Sequence, residues 1–229
     1  MSDIFVEPAI EYLKKKNADV IINKNVSGFK FNNNNISSLI LEDSTEIKTD
    51  FYVSAVPFFN FKSLLGESYQ KYFSSLNELR SSPIVNIHLK FDKDISHIFA
   101  SSFIGLLGTS SQWVFKVSND QVCIVISAAE KVAEMTKEEI ASLAENELKM
   151  CVTELKSHKV TKARVIKEMR ATFVPDKESL TNRPAAKTSL ANLFLAGDWT
   201  DTGLPATIEG AVKSARSCVN EIEKQLAIS

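Results

Sequence analysis

Residues 192–212 read NLFLAGDWTDTGLPATIEGAV, a strand that must turn into an amphipathic helix within about a dozen residues. Asn192 to Ala196 is mostly apolar and is stopped by Gly197, as expected of a short buried strand. Downstream, Ile208, Ala211, Val212, Ala215, Cys218, Val219, Ile222 and Leu226 recur at three- and four-residue spacing, and Lys213, Arg216, Glu221 and Lys224 take the other face. Pro205 suits a first helical position, where a missing N–H costs nothing. That start makes Leu204 the cap, and leucine has no side-chain oxygen for the amides of Ala206, Thr207 and Ile208. Uncapped amides backed by the helix dipole predict a site for an electron-rich ligand at the carboxyl end of a sheet. Gly197 permits close backbone approach, and Asp198 offers a carboxylate to a sugar or polyol hydroxyl. The competing reading is a tight loop in which Asp198 satisfies backbone donors.

The rest of the chain supplies the frame. Pro8 to Lys16 predicts a helix and Ala18 to Ile22 the strand that follows it. Extended runs come next at Val26 to Phe31, Ile36 to Leu41 and Glu46 to Lys48, then a continuous apolar strand at Phe51 to Val56, expected to be covered on both faces. Helices are expected over Phe58 to Leu65 and Ser68 to Leu79. Ile84 to Phe91 (IVNIHLKF) alternates with period two, so one of its faces is buried. Gln112 to Val117 and Gln121 to Ser127 read as a strand pair, Thr136 to Leu155 as a helix opened by a capping box with Glu139, and Ala163 to Met169 as another strand. Antiparallel strands and a covering helix thus interrupt a parallel sheet. The expected architecture is α/β (α+β), with residues 1–57 and 185–229 in one domain and 58–184 in the other.

Composition narrows the function. Lysine plus arginine (27) nearly balances aspartate plus glutamate (28), so no overall field points to nucleic acid. The three cysteines are Cys123, Cys151 and Cys218, too far apart and odd in number for a disulfide framework or a zinc site, which suits a reducing cytoplasm. No metal site is expected. No apolar run reaches the roughly 18–20 residues of a membrane span, and MSDIFVEP has no signal-peptide pattern. Peripheral membrane contact stays open. The glycines are 28, 66, 105, 108, 197, 203 and 210, and they form no Gly-x-Gly-x-x-Gly between a strand and a helix.

With these residues in view, NLFLAGDWTDTGLPATIEGAVKSA (192–215) resembles the C-terminal flavin-contacting motif of the FAD-dependent desaturase and amine oxidase superfamily. SSPIVNIHLKFD (81–92), FIGLLGTSSQWVFK (103–116), CIVISAA (123–129) and RATFVPD (170–176) resemble one branch, the squalene-associated desaturases, or hydroxysqualene dehydroxylases. The likeness runs from about Phe5 to the final helix and covers the C-terminal half of such a protein. It implies the C-terminal part of a Rossmann-like FAD-binding domain, plus an antiparallel-sheet substrate domain covered by helices. It also implies that the Gly-rich pyrophosphate cradle comes from an N-terminal half or partner subunit. By this resemblance Gly197 and Asp198 meet the pyrophosphate and ribityl region of FAD, and the amides at Ala206, Thr207 and Ile208 meet the pyrimidine edge of the flavin. Val26 approaches adenine and Ala55 to Pro57 lies near the cofactor; for both, sheet core is the alternative.

The implied reaction removes an allylic hydroxyl from a C30 isoprenoid lipid, with hydride from reduced flavin. Aromatic faces tolerate an allylic cation, and Trp113, Phe115 and Trp199 are the substrate-pocket candidates. Asp201 is a candidate proton donor, although a loop-anchoring role competes, and no catalytic residue is assigned. His88 falls on the alternating strand as a lining or surface residue. His97 and His158 lack metal-binding partners, and Glu209 suits a first helical turn without catalytic duty. Phe58, Phe59, Phe61, Leu64 and Leu65 read either as core or as a membrane-facing entry for a lipid. Two other functions remain: a flavin amine oxidase-like half, and a non-catalytic binding module that needs an N-terminal partner.

Overall fold

A computed structural model describes residues 2–227. Its chain forms two compact units, one of Met1–Ser74, Ala185–Gly197 and Ser214–Ser229, the other of Ser75–Pro184 and Asp198–Lys213.

The first unit begins with helix α1 (Glu7–Lys15), none of whose residues is buried. Ala18 to Ile22, expected as a strand, is not one. Ile21 and Ile22 are 68% and 73% exposed. An extended segment needs a neighbouring edge to take its amides and carbonyls, and no described residue pairs with this one. A three-stranded antiparallel meander follows as expected, from β1 (Val26–Asn32), β2 (Asn35–Leu41) and β3 (Glu46–Ile47). The polar tip between β1 and β2 carries Asn33 at φ 52°, a conformation asparagine tolerates.

Strand β4 (Tyr52–Ser54) is shorter than predicted. Tyr52 and Ser54 are buried but Val53 is 51% exposed, so one face is open rather than both being covered. Helix α2 (Phe58–Leu65) turns Phe58, Phe61 and Leu65 inward, and the Phe61 ring meets Phe73 edge-on at 5.0 Å. Three of the five apolar side chains singled out on this helix thus pack inward, as the core reading expects, and Phe59 and Leu64 are half-buried. The helix expected over Ser68 to Leu79 breaks into α3 (Tyr69–Phe73) and a 3₁₀ segment, Ser74–Glu78.

The second unit is built on a five-stranded antiparallel sheet. In chain order its strands are β5 (Ser81–Phe91), β6 (Phe103–Gly105), β7 (Trp113–Ser118), β8 (Gln121–Ser127) and β9 (Val160–Phe173), arranged β6-β7-β8-β5-β9. Period-two alternation sends Val85, Ile87 and Leu89 of β5, Val122, Ile124 and Ile126 of β8, Val114 and Val165 to one face. There they cluster with Ile140, Ala144 and Leu148, the buried residues of α5 (Lys137–Cys151), which follows the short α4 (Glu130–Glu134). Each fully buried Leu or Ile contributes about 1.5–3 kcal/mol, so this layer holds the sheet in place.

The predicted capping box is present. The Glu139 amide donates to Thr136 Oγ1 at 3.2 Å, and the Glu139 carboxylate accepts from the Thr136 amide at 2.8 Å. The helix ends at Cys151, ahead of the expected Leu155, and a 3₁₀ turn at Thr153–Ser157 follows. Helix α6 (Lys177–Asn182) is capped by Asp176, whose carboxylate accepts the Ser179 amide at 2.8 Å. That bond and the Arg80 guanidinium hold the Asp176 pKa down at about 2.

The chain then returns to the first unit in β10 (Leu193–Leu195), fully buried and parallel to β4 with Leu193 opposite Tyr52. Helix α7 (Ile208–Leu226) closes the chain, and the division between units runs through it.

Candidate functional site

The amino terminus of α7 differs from the sequence expectation in one informative way. The helix starts at Ile208, not Pro205, and Thr207 caps it. Its Oγ1 accepts the Gly210 amide at 3.0 Å while donating to the Pro205 carbonyl at 3.3 Å. Residues 204–207 therefore form a tight loop folded back on the first turn. Gly210 is what lets it close, because a Cβ there would lie 2.7 Å from the Pro205 carbonyl oxygen. A cap oxygen satisfies one of the four orphan amides at a helix start and leaves the others. Among the described residues, no group accepts from the amides of Ala206, Thr207, Ile208 or Glu209. Thr207, Ile208 and Glu209 are exposed. The donor set fits the electron-rich edge of a bound group.

Arg183, which no local spacing singles out, holds this loop. It is 7% exposed. One terminal nitrogen donates to the Leu204 carbonyl at 2.9 Å; the other donates to the Asp198 carbonyl at 2.8 Å and to Thr202 Oγ1 at 3.0 Å. Its guanidinium lies 5.0 Å from the Phe173 ring centre. Both ends of the 198–204 segment are thus tied to one planar cation. The Asp201 amide adds a bond to the Pro184 carbonyl at 2.8 Å, and the Asp201 side chain is exposed.

Asp198 is half-buried. Burial pushes its pKa above the ordinary 3.8, against the opposing pull of its own amide, the Trp199 amide and Arg183. A raised carboxyl costs stability as pH climbs from 3.8 through the folded-state value, and the cost is constant above that. Asp198→Asn keeps the accepting oxygen and removes the charge. It is expected to raise the melting temperature at neutral pH, by at most about 1 kcal/mol of stability for a half-exposed group. The gain shrinks as pH falls through the raised folded-state value and is gone below 3.8, which thermal melts across acid pH check.

In the first unit, Gly197 has φ 142°, and its amide donates to Ser214 Oγ at 2.7 Å, tying the end of β10 to α7. Val26 lines a largely apolar pocket of about 250 Å³ with Phe29, Leu39, Phe51 and Leu64. Ala55 and Val56, of the predicted cofactor-side turn, line the same pocket.

On the sheet face of the second unit turned away from the α5 core, the side chains are half-buried or exposed. Strand register sets out its rows. Trp113 is opposite Val125, Val125 opposite Asn86, and Asn86 opposite Ile166; in the next row Phe103, Phe115, Cys123, His88 and Arg164 follow one another across the sheet. Trp113 and Phe115 are 45% and 40% exposed. Their rings lie 6.0 and 5.9 Å from that of Phe103. Trp199, by contrast, is enclosed by protein at 2% exposed. Glu209 sits in the first turn of α7, and His97 and His158 lie outside the strands. Among the described residues, no three His, Cys, Asp or Glu side chains are grouped to hold a metal ion, and no helix is long and apolar enough to cross a membrane.

Comparison with known proteins shows the family and the fold. The chain is 30% identical over 226 residues to the hydroxysqualene dehydroxylase of Zymomonas mobilis, covering 96% of this chain and 50% of that protein. It is 26% identical over 237 residues to the 15-cis-phytoene desaturase of Solanum lycopersicum, covering 94% and 40%. Among solved structures, an oxidoreductase from Methanosarcina mazei superposes with a TM-score of 0.70 at 16% identity, over 93% of this chain and 53% of that one; at that identity the likeness speaks for the fold. The chain spans about half the length of the curated relatives it matches. Residues 6–223 match the family model described as flavin containing amine oxidoreductase, and with a match over nearly its whole length, the chain belongs to that family.

Proposed function

We propose that this chain is the cofactor-edge and substrate-contacting half of an FAD-dependent oxidoreductase that converts a hydroxysqualene-type isoprenoid alcohol to its hydrocarbon. The observation that carries the reading is the set of unaccepted amides at residues 206–209, in a loop tied by Arg183, in a member of a flavin family. Those amides would bind the electron-rich pyrimidine edge, and the helix dipole favours the negative charge of the reduced form by roughly 0.3–2 kcal/mol. When bound, the reduced cofactor supplies hydride. The exposed aromatic row Phe103, Trp113 and Phe115 supports an apolar substrate, because such rings exclude water from a hydrocarbon chain and their faces attract an allylic cation by about 0.5–2 kcal/mol. The names of the hydroxysqualene dehydroxylase relatives favour this chemistry over amine oxidation. In this reading the first unit and the segment Asp198–Lys213 belong to the cofactor domain, and Ser75–Pro184 belongs to the substrate domain.

The proposal includes a polypeptide that brings the Gly-rich pyrophosphate turn, since none of the seven glycines of this chain forms one. The exposed side chains of Phe5, Tyr12, Ile21 and Ile22 are a surface on which such a segment can bury apolar area. The chain purified alone is therefore expected to be colourless. Mixed with the N-terminal half of the Zymomonas mobilis relative, it should retain FAD in stoichiometric amount and, given a reductant, turn hydroxysqualene into squalene. A stoichiometric yellow preparation of the chain alone would refute the division of the cofactor site. A flavin-loaded complex that oxidises a polyamine and leaves isoprenoid alcohols untouched would replace the substrate assignment with the amine one.

A further inference from the structure

The open sheet face carries a hydrogen-bonding group that the reading above does not use. His88 lies in the same cross-strand row as Phe115, with Cys123 between them. Its Nδ1 is 3.4 Å from Gln121 Nε2, and its Nε2 is 3.8 Å from Cys123 Sγ. Gln121, Cys123 and His88 share one face of two paired strands, so the imidazole has an amide beside one nitrogen and a thiol beside the other. Burial pushes the Cys123 thiol up, so at neutral pH it stays protonated, a weak partner that a stronger acceptor displaces. The cations of the same face are Lys90, Lys162 and Arg164, which with His88 and Gln121 line one hollow. Lys90 is paired with Asp120 at 3.2 Å. Neither lysine nor arginine loses its proton readily near neutrality. Among the described residues, His88 is the one imidazole on a strand of this sheet, and imidazole is the side chain suited to moving a proton at that pH.

Resting on the isoprenoid-alcohol reading, we propose that His88 is the catalytic residue that receives the allylic hydroxyl of the substrate and protonates it. The imidazolium gives its Nε2 proton to the hydroxyl oxygen, and the C–O bond breaks with its electron pair leaving on water. The resulting allylic cation lies beside Phe115 and Trp113. Reduced flavin, when bound, would supply the hydride that completes the hydrocarbon, and solvent reprotonates the imidazole. Gln121 orients the ring: its amide can donate to neutral Nδ1 or, reversed, accept from Nδ1–H of the imidazolium.

Two measurements test this. The first uses the 229-residue chain and follows quenching of the exposed Trp113 by farnesol, an allylic alcohol, and by farnesene, its hydrocarbon counterpart. The chain should prefer farnesol by about 3- to 10-fold, the worth of one hydrogen bond. His88→Phe, with its melting temperature unchanged, should bind both ligands alike. The second uses the flavin-loaded complex, in which His88→Gln should lower turnover by about 10²- to 10⁴-fold and respond to added imidazole, with FAD still bound. A farnesol preference that survives His88→Phe, or a His88→Gln complex with unaltered turnover, overturns the assignment of His88 and leaves the isoprenoid reading standing. If neither ligand binds at all, the isoprenoid reading itself falls, and this one with it.

Discussion

Replacing Arg183 with methionine is expected to destabilise the second unit by about 2–4 kcal/mol and to free the loop before α7. The wild-type guanidinium donates to two carbonyls and a hydroxyl while almost wholly enclosed. Methionine fills much of the same volume, so the change leaves little cavity, but it strands the Asp198 carbonyl and leaves the Leu204 carbonyl to the long 3.5 Å bond from Thr202 Oγ1. Each buried acceptor left without a donor costs about 1–3 kcal/mol. Burial lowers the Arg183 pKa, which means the native state bears a desolvation cost for that charge; its removal offsets part of the loss. Arg183→Lys separates charge from geometry, because an ammonium keeps the cation but has no planar fork to span both carbonyls. Lysine should therefore recover less than half of the lost stability. Urea unfolding followed by the emission of buried Trp199 reads the stability. Hydrogen exchange at the amides of Asp201 and Leu204, which donate to the Pro184 carbonyl and to Thr202 Oγ1, reads the loop, and should quicken in both variants. Equal stability of wild type and Arg183→Met would show that the bonds to Asp198 and Leu204 carry no weight.

That residue also marks the limit of what local pattern can say. The strand pair β7–β8, the alternation of β5, the capping box of α5 and the buried strand β10 were legible because each rests on residues a few positions apart: a period of two, a Thr and a Glu three residues apart, an apolar run ended by glycine. Arg183 acts on Asp198 and Leu204, 15 and 21 residues away, and no spacing rule reaches that far. The start of α7 was misjudged for a different reason. Pro205 satisfies the backbone geometry of a first helical position, but Thr207 offers an oxygen to the Gly210 amide and Pro205 offers none. The hydroxyl decides the boundary. The two readings agree on the consequence, since amides at 206–208 are without a protein acceptor in either register. For Ala18 to Ile22 the pattern indicated a strand, and what is missing is an edge for it to pair with. The alternation of β5 fixed that one face is buried, while the aromatic character of the opposite face comes from β6 and β7, whose register against β5 passes through β8.

That opposite face carries the second large expectation. Changing both Trp113 and Phe115 to serine should weaken isoprenoid binding about 100-fold while leaving the stability of the free chain nearly unchanged. The two rings are 45% and 40% exposed, which for side chains of this size leaves roughly 150–200 Å² for a ligand to cover. At about 25 cal/mol per Å² that is about 4 kcal/mol at full coverage, an upper figure because serine recovers some contact and a ligand does not cover all of it. A loss of about 2.8 kcal/mol already corresponds to about 100-fold. Stability is spared because the sheet is held from its other side, by Val114, Ile124 and the helix α5 residues Ile140, Ala144 and Leu148. The same argument sets the control: Val114→Ala, one residue along β7 but pointing into the core, should cost stability and leave affinity for the bound lipid alone. Titration of each folded variant with farnesene separates the two faces. If the serine variant binds the hydrocarbon as tightly as wild type does, the lipid contacts something other than this sheet face.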